Sequence, residues 1–378
     1  MLILAVILAI FVYGMIAATL GSILPGLSDR FSLTPGQNGS VAFAQALGLI
    51  LASLAVGPLL DAEGKKIGLV LGLALISAAL FALPKSTGYK SILGLLFLLG
   101  VGGGILITSA NALASDLGGA HRGTELNLVN LFFGLGGLVT PLITARVFGK
   151  NWVKLCYAIA GFTVLTLVFE FLTKMPGPTG EHSVQWAGLG TLLQNPLLLM
   201  LGLFLFLYIT CEVGVWNWLP RHLIAQGIPE SKALTILSLG FALGLLVGRL
   251  AVSPILIHVP AVTVTLLASV TMAVTTFLML RTSSPLMATV WVGLAGVAMA
   301  PVFPTTLAIV GDAFPAMTGT ALGFVITCGW AGLAVSSRVI GGIAGGDPKR
   351  LRTALMVIPC SAVLMIVLNI LIRARLQS

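Results

Sequence analysis

The chain has 378 residues, of which 58% are apolar and 8% charged, and its mean hydropathy is +1.10. A soluble domain carries roughly 25% charged residues, so this composition excludes a water-soluble globule and makes lipid the expected solvent. The net charge of +9 does not signal a nucleic-acid partner, because the cations sit mostly singly between apolar runs and build no basic face.

In lipid, each backbone N–H and C=O has to be satisfied within its own segment, so the apolar runs are expected to be helices. The alternation that a strand barrel requires is missing. The sequence is apolar from Met1 onward, without a basic leader, and the first run is expected to be retained as a span. With about 20 residues per crossing, spans are expected at 3–25, 41–60, 67–84, 91–114, 126–147 and 153–172. A polar stretch with Pro176, Gly177, Pro178, Gly180, Glu181 and His182 follows, the longest non-apolar segment of the chain. Six more spans are expected at 196–219, 233–256, 260–280, 285–310, 318–342 and 353–372. The organisation is therefore an all-α membrane protein of twelve transmembrane helices: a six-helix bundle over 1–172, a linker over 173–195 and a second six-helix bundle over 196–378.

The two halves repeat one another. SILPGLSDRFSLTP around Pro25 aligns with NWLPRHLIAQGIPE around Pro220, so that Pro25 matches Pro220 and Pro35 nearly matches Pro229. SDLGGAHRGTELN aligns with GDAFPAMTGTALG, pairing Asp116 with Asp312, Gly123 with Gly319, Thr124 with Thr320 and Leu126 with Leu322. Two separate windows share an offset of about 195–196 residues. Two six-span halves enter the membrane the same way up, which is the parallel repeat of transporters that hold substrate between halves near the midplane.

Four windows carry chemical information. The first is GPLLDAEGKKIGL, residues 57–69, between the second and third spans. Gly57, Asp61, Gly64, Lys65 and Lys66 there form a helix end with an acid, a tight turn and two cations; either the acid caps and charge-pairs across to the neighbouring half in one conformational state, or the segment is a solvated loop of mixed charges. The second is the stretch 109–142, which puts Asn111 in the fourth span and Asn127 and Asn130 in the fifth. Buried amides need partners. Interhelical hydrogen bonding and recognition of sugar hydroxyls, which suits a group that both donates and accepts, are the two readings.

The third window is LYITCEVGVWNWLPRHL, residues 207–223. Glu212 is the one acid deep within a predicted span, and Tyr208, Glu212 and Trp216 share a helix face. With Asn217 they offer a carboxylate, two aromatic faces and an amide, groups that stack on a sugar ring and accept its hydroxyl hydrogens. The competing reading is a structural ion pair between Glu212 and Arg338. The fourth window is APVFPTTLAIVGD, residues 300–312, where Pro301 and Pro304 interrupt a helix. That break either turns Phe303 and Thr305 toward a solute or leaves a plain kink.

Other features are bland. Gly102–Gly104 lies mid-span without the Lys-Ser/Thr of a nucleotide loop. Cys156, Cys211, Cys328 and Cys360 fit neither a metal site nor a disulfide frame. His121, His182, His222 and His258 are expected in connections, and no paired acids or Ser-His arrangement appears within the spans, so an enzyme is not expected.

The loop G-x-L-x-D-x-x-G-K-K resembles the signature loop of the major facilitator superfamily, with Ala62 and Lys65 in place of the usual arginines, and the resemblance implies that Gly57, Asp61, Gly64, Lys65 and Lys66 gate alternating access without touching substrate. The four windows together resemble the fucose permease, or fucose–glucose–galactose permease, family of sugar symporters over nearly the whole chain. The resemblance implies the twelve-span major facilitator fold, transport of a monosaccharide, and a multi-pass protein of the cell inner membrane with both termini and the linker cytoplasmic. The Lys/Arg excess falls on the opposite side from the one the positive-inside rule favours for that orientation.

The resemblance also has gaps. Proton-coupled fucose permeases place an acid in span one where this chain has Gly21, and an acid in span four where it has Ile107. A span-five asparagine that binds sugar in that family corresponds to Phe133. Glu212 is therefore the coupling candidate, through a proton or a sodium ion, and no other cofactor or metal is expected. The expected solute contacts are Asn111, Asn127, Asn130, Tyr208, Glu212, Trp216, Asn217 and Phe303. The expected unit is a monomer in a lipid bilayer, and efflux of an amphipathic compound or lipid is the alternative activity.

Overall fold

The structure, a computed structural model, describes residues 1–148, 151–178, 190, 192–345 and 348–377. Residues 179–189 and 191 of the predicted linker lie outside the described residues. All regular structure among the described residues is helical. In chain order the long helices are α1 (Leu2–Phe31), α2 (Pro35–Glu63), α3 (Lys65–Ala82), α4 (Tyr89–Gly118), α5 (Arg122–Arg146) and α6 (Trp152–Leu172). The second set is α7 (Pro196–Ala225), α8 (Glu230–Ile255), α9 (Ala261–Arg281), α10 (Pro285–Ala313), α11 (Thr318–Ala344) and α12 (Val357–Gln377), the last preceded by the short helix Pro348–Leu355.

Eleven continuous helical stretches among the described residues are long and apolar enough to cross a membrane. One of them, Tyr89–Arg146, runs 58 residues and contains both α4 and α5, separated by the single 3-10 turn Gly119–His121. A crossing takes about 20 residues, so this stretch is two spans and the chain has twelve.

The helix starts follow local chemistry. Thr34 caps α2 with a reciprocal Thr34–Gln37 capping box, and Pro35 occupies the first turn, where its missing N–H costs nothing. Asn151 caps α6, and Asn195 accepts from the backbone of Leu197 and Leu198 at the start of α7. Pro25 and Pro220, expected near helix ends, lie inside α1 and α7, each of which continues about six residues beyond the predicted end. Each proline removes a donor from the carbonyl four residues earlier but leaves the rest of the ladder intact.

Buried hydroxyls are accommodated within their own helices. Thr19 donates to the carbonyl of Met15, Ser77 to Leu73, Thr163 to Ile159 and Ser269 to Thr265, each four residues back. This back-bonding satisfies a polar group in hydrocarbon without a partner from another helix. Histidine 222, expected in a connection, is buried within α7, where its ring nitrogen lies 3.0 Å from the amide nitrogen of Gln226.

By internal packing the chain divides into two compact units. Unit 1 comprises Met1–Gly119, Val129–Gly190 and Phe314–Thr327; unit 2 comprises Ala120–Leu128, Thr191–Ala313 and Cys328–Ser378. In unit 1, α4 is the central helix and packs on α2, α3 and α1, while α3 also packs on α6. In unit 2, α9 and α7 both pack on α12, and α8 packs on α10.

The α2–α4 seam depends on glycine. A Cβ at Gly100 would stand 2.0 Å from the Gln45 carbonyl oxygen, and one at Gly48 would stand 2.2 Å from that of Phe97. These contacts are with backbone, which cannot swing aside, so small residues are what let the two helices approach. Gly100→Val is expected to destabilise the protein by about 1–3 kcal/mol through overpacking. The measurement is the melting temperature in detergent, which falls in the variant.

Candidate functional site

The signature loop forms one cluster within unit 1. Gly64 closes α2 and opens α3 at φ 89°, a backbone conformation that side chains rarely adopt. Asp61, on the last turn of α2, accepts three hydrogen bonds from the start of α11: from Gly319 N–H at 2.7 Å, Thr320 N–H at 2.8 Å and the Thr320 hydroxyl at 2.7 Å. The carboxylate thus sits at the positive end of the α11 dipole and satisfies donors that have no partner within the helix. Gly57, one turn back, lies against Thr320 so closely that a Cβ would be 2.5 Å from its Cα.

The two lysines face different partners. Lys65 Nζ is 3.0 Å from Asp116 on α4 and 3.8 Å from Asp61. Lys66 Nζ donates to the carbonyls of Phe171 and Thr173 at 2.7 and 2.9 Å, a cation at the C-terminal end of α6 where the helix dipole favours it. Beside it lies Glu170, fully buried with neither carboxylate oxygen hydrogen-bonded. Glu170 is therefore more deeply buried than Glu212, which is half-exposed.

The three amides are all buried but part company. Asn130 donates to Asn111 Oδ1 at 2.8 Å, and Asn111 donates to the carbonyl of Ile107 at 2.9 Å, both within unit 1. Asn127 belongs to unit 2. It donates to the carbonyl of Gly123 at 2.8 Å and to the Thr305 hydroxyl at 3.0 Å, while its Oδ1 is buried without a partner. Asn111 and Asn130 are thus engaged with one another, and Asn127 retains an acceptor.

The helix α7, in unit 2, carries a second polar group. Glu212 is half-exposed, and Trp216 and Asn217 are exposed. Tyr208, one turn before Glu212, is fully buried, and its hydroxyl lies within electrostatic reach of both Glu212 and Arg249. Trp216 packs edge-on against Phe241 with ring centres 5.3 Å apart, and Phe241 lies in the π-helical stretch Ile236–Ala242 of α8. Such π segments locally widen a helix and concentrate at functional sites. Pro220 lacks an N–H, so the carbonyl of Trp216 has no i+4 donor and adds an acceptor beside Asn217.

Arg249 was not singled out in the sequence. It lies on α8, 6% exposed, and its Nε donates to the carbonyl of Ala300 at 3.4 Å. The reason lies in α10, which is interrupted at Ala300–Pro301 between Pro285–Met299 and Val302–Ala313. Pro304 cannot donate to Ala300, and the guanidinium takes up the freed carbonyl. The competing partner considered for Glu212, Arg338, is exposed on α11 and makes no ion pair with it among the described residues. Phe303 and Thr305 are buried on the second segment of α10, Thr305 against Asn127.

The positions where the resemblance has gaps are distinctive in space. A Cβ at Gly21 would meet nothing within 4 Å, Ile107 is buried, and Phe133 stacks on Tyr13 with ring centres 5.6 Å apart.

Twelve apolar helices with buried polar clusters, and a loop acid that caps the start of a distant helix, define a polytopic membrane protein built for solute passage. A family model described as the Major Facilitator Superfamily matches residues 6–337, and the chain belongs to that superfamily. Its fold matches that of the E. coli fucose:proton symporter FucP with a TM-score of 0.84 over 98% of each chain at 18% identity. Bypass of stop codon protein 6 of Saccharomyces cerevisiae is 27% identical over 63% of this chain, which spans 54% of that protein's length. The glucose/mannose transporter GlcP of Bacillus subtilis is 27% identical over 64% of this chain and 63% of its own.

Proposed function

We propose that this protein is a secondary transporter that moves a small polar solute, a monosaccharide foremost, by alternating access. The observation that carries this is the α7 group. A half-exposed carboxylate, an exposed indole and an exposed amide lie within six residues of one another in an otherwise apolar span, backed by Tyr208, Arg249 and Phe241. Glu212 and Asn217 would bind hydroxyls while Trp216 covers an apolar ring face. The similarity to a fucose:proton symporter and to a glucose/mannose transporter supports that choice.

Glu212 is also the proposed coupling residue, through a proton or a sodium ion. Asn127, with its unpartnered acceptor, would join the solute contacts. Asn111 and Asn130, bonded to each other, would reach solute only after rearrangement. The proposed setting is the inner membrane, with both termini cytoplasmic and the protein monomeric.

Two observations favour a second reading, efflux of an amphipathic compound. Open space at Gly21 and the Tyr13–Phe133 stack give unit 1 an apolar character where a sugar symporter would carry acid and amide. A thermal-shift panel of monosaccharides and amphipathic compounds separates the two. The expected result is a rise in melting temperature with at least one monosaccharide, lost in Glu212→Gln and in Trp216→Ala. A rise with amphiphiles alone would favour efflux.

A further inference from the structure

The repeat makes the signature loop comparable with its own second copy. At the shared offset, the loop 60–66, Leu-Asp-Ala-Glu-Gly-Lys-Lys, falls on 256–262, Leu-Ile-His-Val-Pro-Ala-Val. Asp61 becomes Ile257, Lys65 becomes Ala261 and Lys66 becomes Val262, so the second copy has lost the acid and both lysines. The partners of those groups have not been lost with them. Asp116, the partner of Lys65, persists as Asp312, and Gly319-Thr320, which Asp61 caps, corresponds to Gly123-Thr124.

The structure holds both copies in the same arrangement. In unit 1, Gly319 at the start of α11 lies against Leu60. In unit 2, Gly123 at the start of α5 lies against Leu256, the repeat counterpart of Leu60. The Thr124 hydroxyl donates to the carbonyl of Ser253 at 2.9 Å, and Ser253 is the counterpart of Gly57. The junction is therefore retained, but the residue at the place of Asp61 is Ile257, which brings no carboxylate to the start of α5.

Asp312 has found a different cation. It accepts a hydrogen bond and an ion pair from Arg122, the first residue of α5. A cation at a helix start opposes the dipole, so Arg122 is poorly placed unless a carboxylate holds it. In the first copy that position is filled by Thr318, which needs no such partner.

We propose that the Arg122–Asp312 pair is the latch of the second junction, standing in for the charges its loop has lost. The two junctions are then unequal. The first is closed by a buried carboxylate with three hydrogen bonds, the second by a pair whose aspartate side chain is 59% exposed. The Arg122 side chain is 12% exposed, but the open aspartate leaves the pair within reach of salt and screened by it, so the second junction is the one that opens first and the one that ionic strength loosens. This rests on the alternating-access reading, because a latch has meaning only if the junction opens.

The test is a pulsed electron–electron distance measurement on the full chain in lipid, with the native cysteines replaced. One pair of spin labels at positions 121 and 258 reports the second junction, and another at 63 and 316 reports the first. Arg122→Ala and Asp312→Asn are each expected to raise the open fraction of the 121–258 distance at least threefold, as does high salt. The charge-swapped double variant Arg122→Asp with Asp312→Arg is expected to return it toward the parent value. A 121–258 distribution unchanged by either single variant, or a swap as open as the singles, overturns the latch. Should 63–316 respond to Asp61→Asn while 121–258 ignores its own variants, the latch alone falls. Should neither junction respond, the alternating-access reading falls with it.

Discussion

Asp61→Asn is expected to slow transport at least tenfold while leaving the protein folded and inserted. The parent carboxylate accepts from two backbone N–H groups and one hydroxyl at the start of α11, with Lys65 alongside. Hydrogen bonds to a charged group contribute about 1.5–3 kcal/mol each. An amide has one acceptor oxygen instead of two, cannot serve all three donors and carries no charge against the helix dipole. A net loss of about 3 kcal/mol is a shift of more than a hundredfold in a two-state equilibrium. A transporter that cycles between states and loses the stabilisation of one of them spends its time in the other. The measurement is the 63–316 label distance together with the initial rate of uptake. The distance lengthens and the rate falls, whereas Asp61→Glu, which keeps the charge but not the reach, gives an intermediate result.

Replacing Arg249 by methionine is expected to destabilise the protein by about 3 kcal/mol. Methionine keeps much of the volume, so the effect isolates the guanidinium. Its removal leaves the Ala300 carbonyl without the donor that Pro304 cannot supply, at about 1–3 kcal/mol for a buried unsatisfied group. It also takes a buried cation away from the side of the Tyr208–Glu212 pair, which loses that electrostatic support. Arg249→Lys retains the charge but not the planar donor set, and falls between the two. The readouts are the melting temperature and the yield of monodisperse protein. An Arg249→Met protein as stable as the parent would show that the α10 break is satisfied by other means.

The twelve spans were legible because lipid leaves a chain of this composition few options, and the repeat was legible because Asp, Gly, Thr and Leu recur at one offset. The ends were less so. Pro25 and Pro220 read as stops, yet a proline late in a helix costs one hydrogen bond and the rest of the ladder carries on through Phe31 and Ala225. Which helix faces which is not encoded locally, so the sequence could pair neither Asn130 with Asn111 nor Asn127 with Thr305. A spacing of three residues puts Asn127 and Asn130 on neighbouring positions of one helix, yet the two side chains turn to different partners.

Arg249 carried its own signal, a cation in the middle of GLLVGRLAV, where an ionised group is costly unless it has a purpose. Arg338 competes with it as a cation for Glu212, and spacing along the chain does not choose between them. Glu170 gives less signal: a position near the end of a predicted span is ordinarily open to water, whereas the packing of α3 against α6 buries it completely.

The most direct measurement is uptake of radiolabelled monosaccharides by the purified protein in proteoliposomes, with Glu212→Gln reconstituted to the same density. Saturable uptake of at least one sugar above protein-free vesicles, falling tenfold or more in that variant, is what a solute site on α7 predicts. Vesicles that take up no sugar of the panel, or a Glu212→Gln protein that accumulates it at the parental rate, would contradict the account.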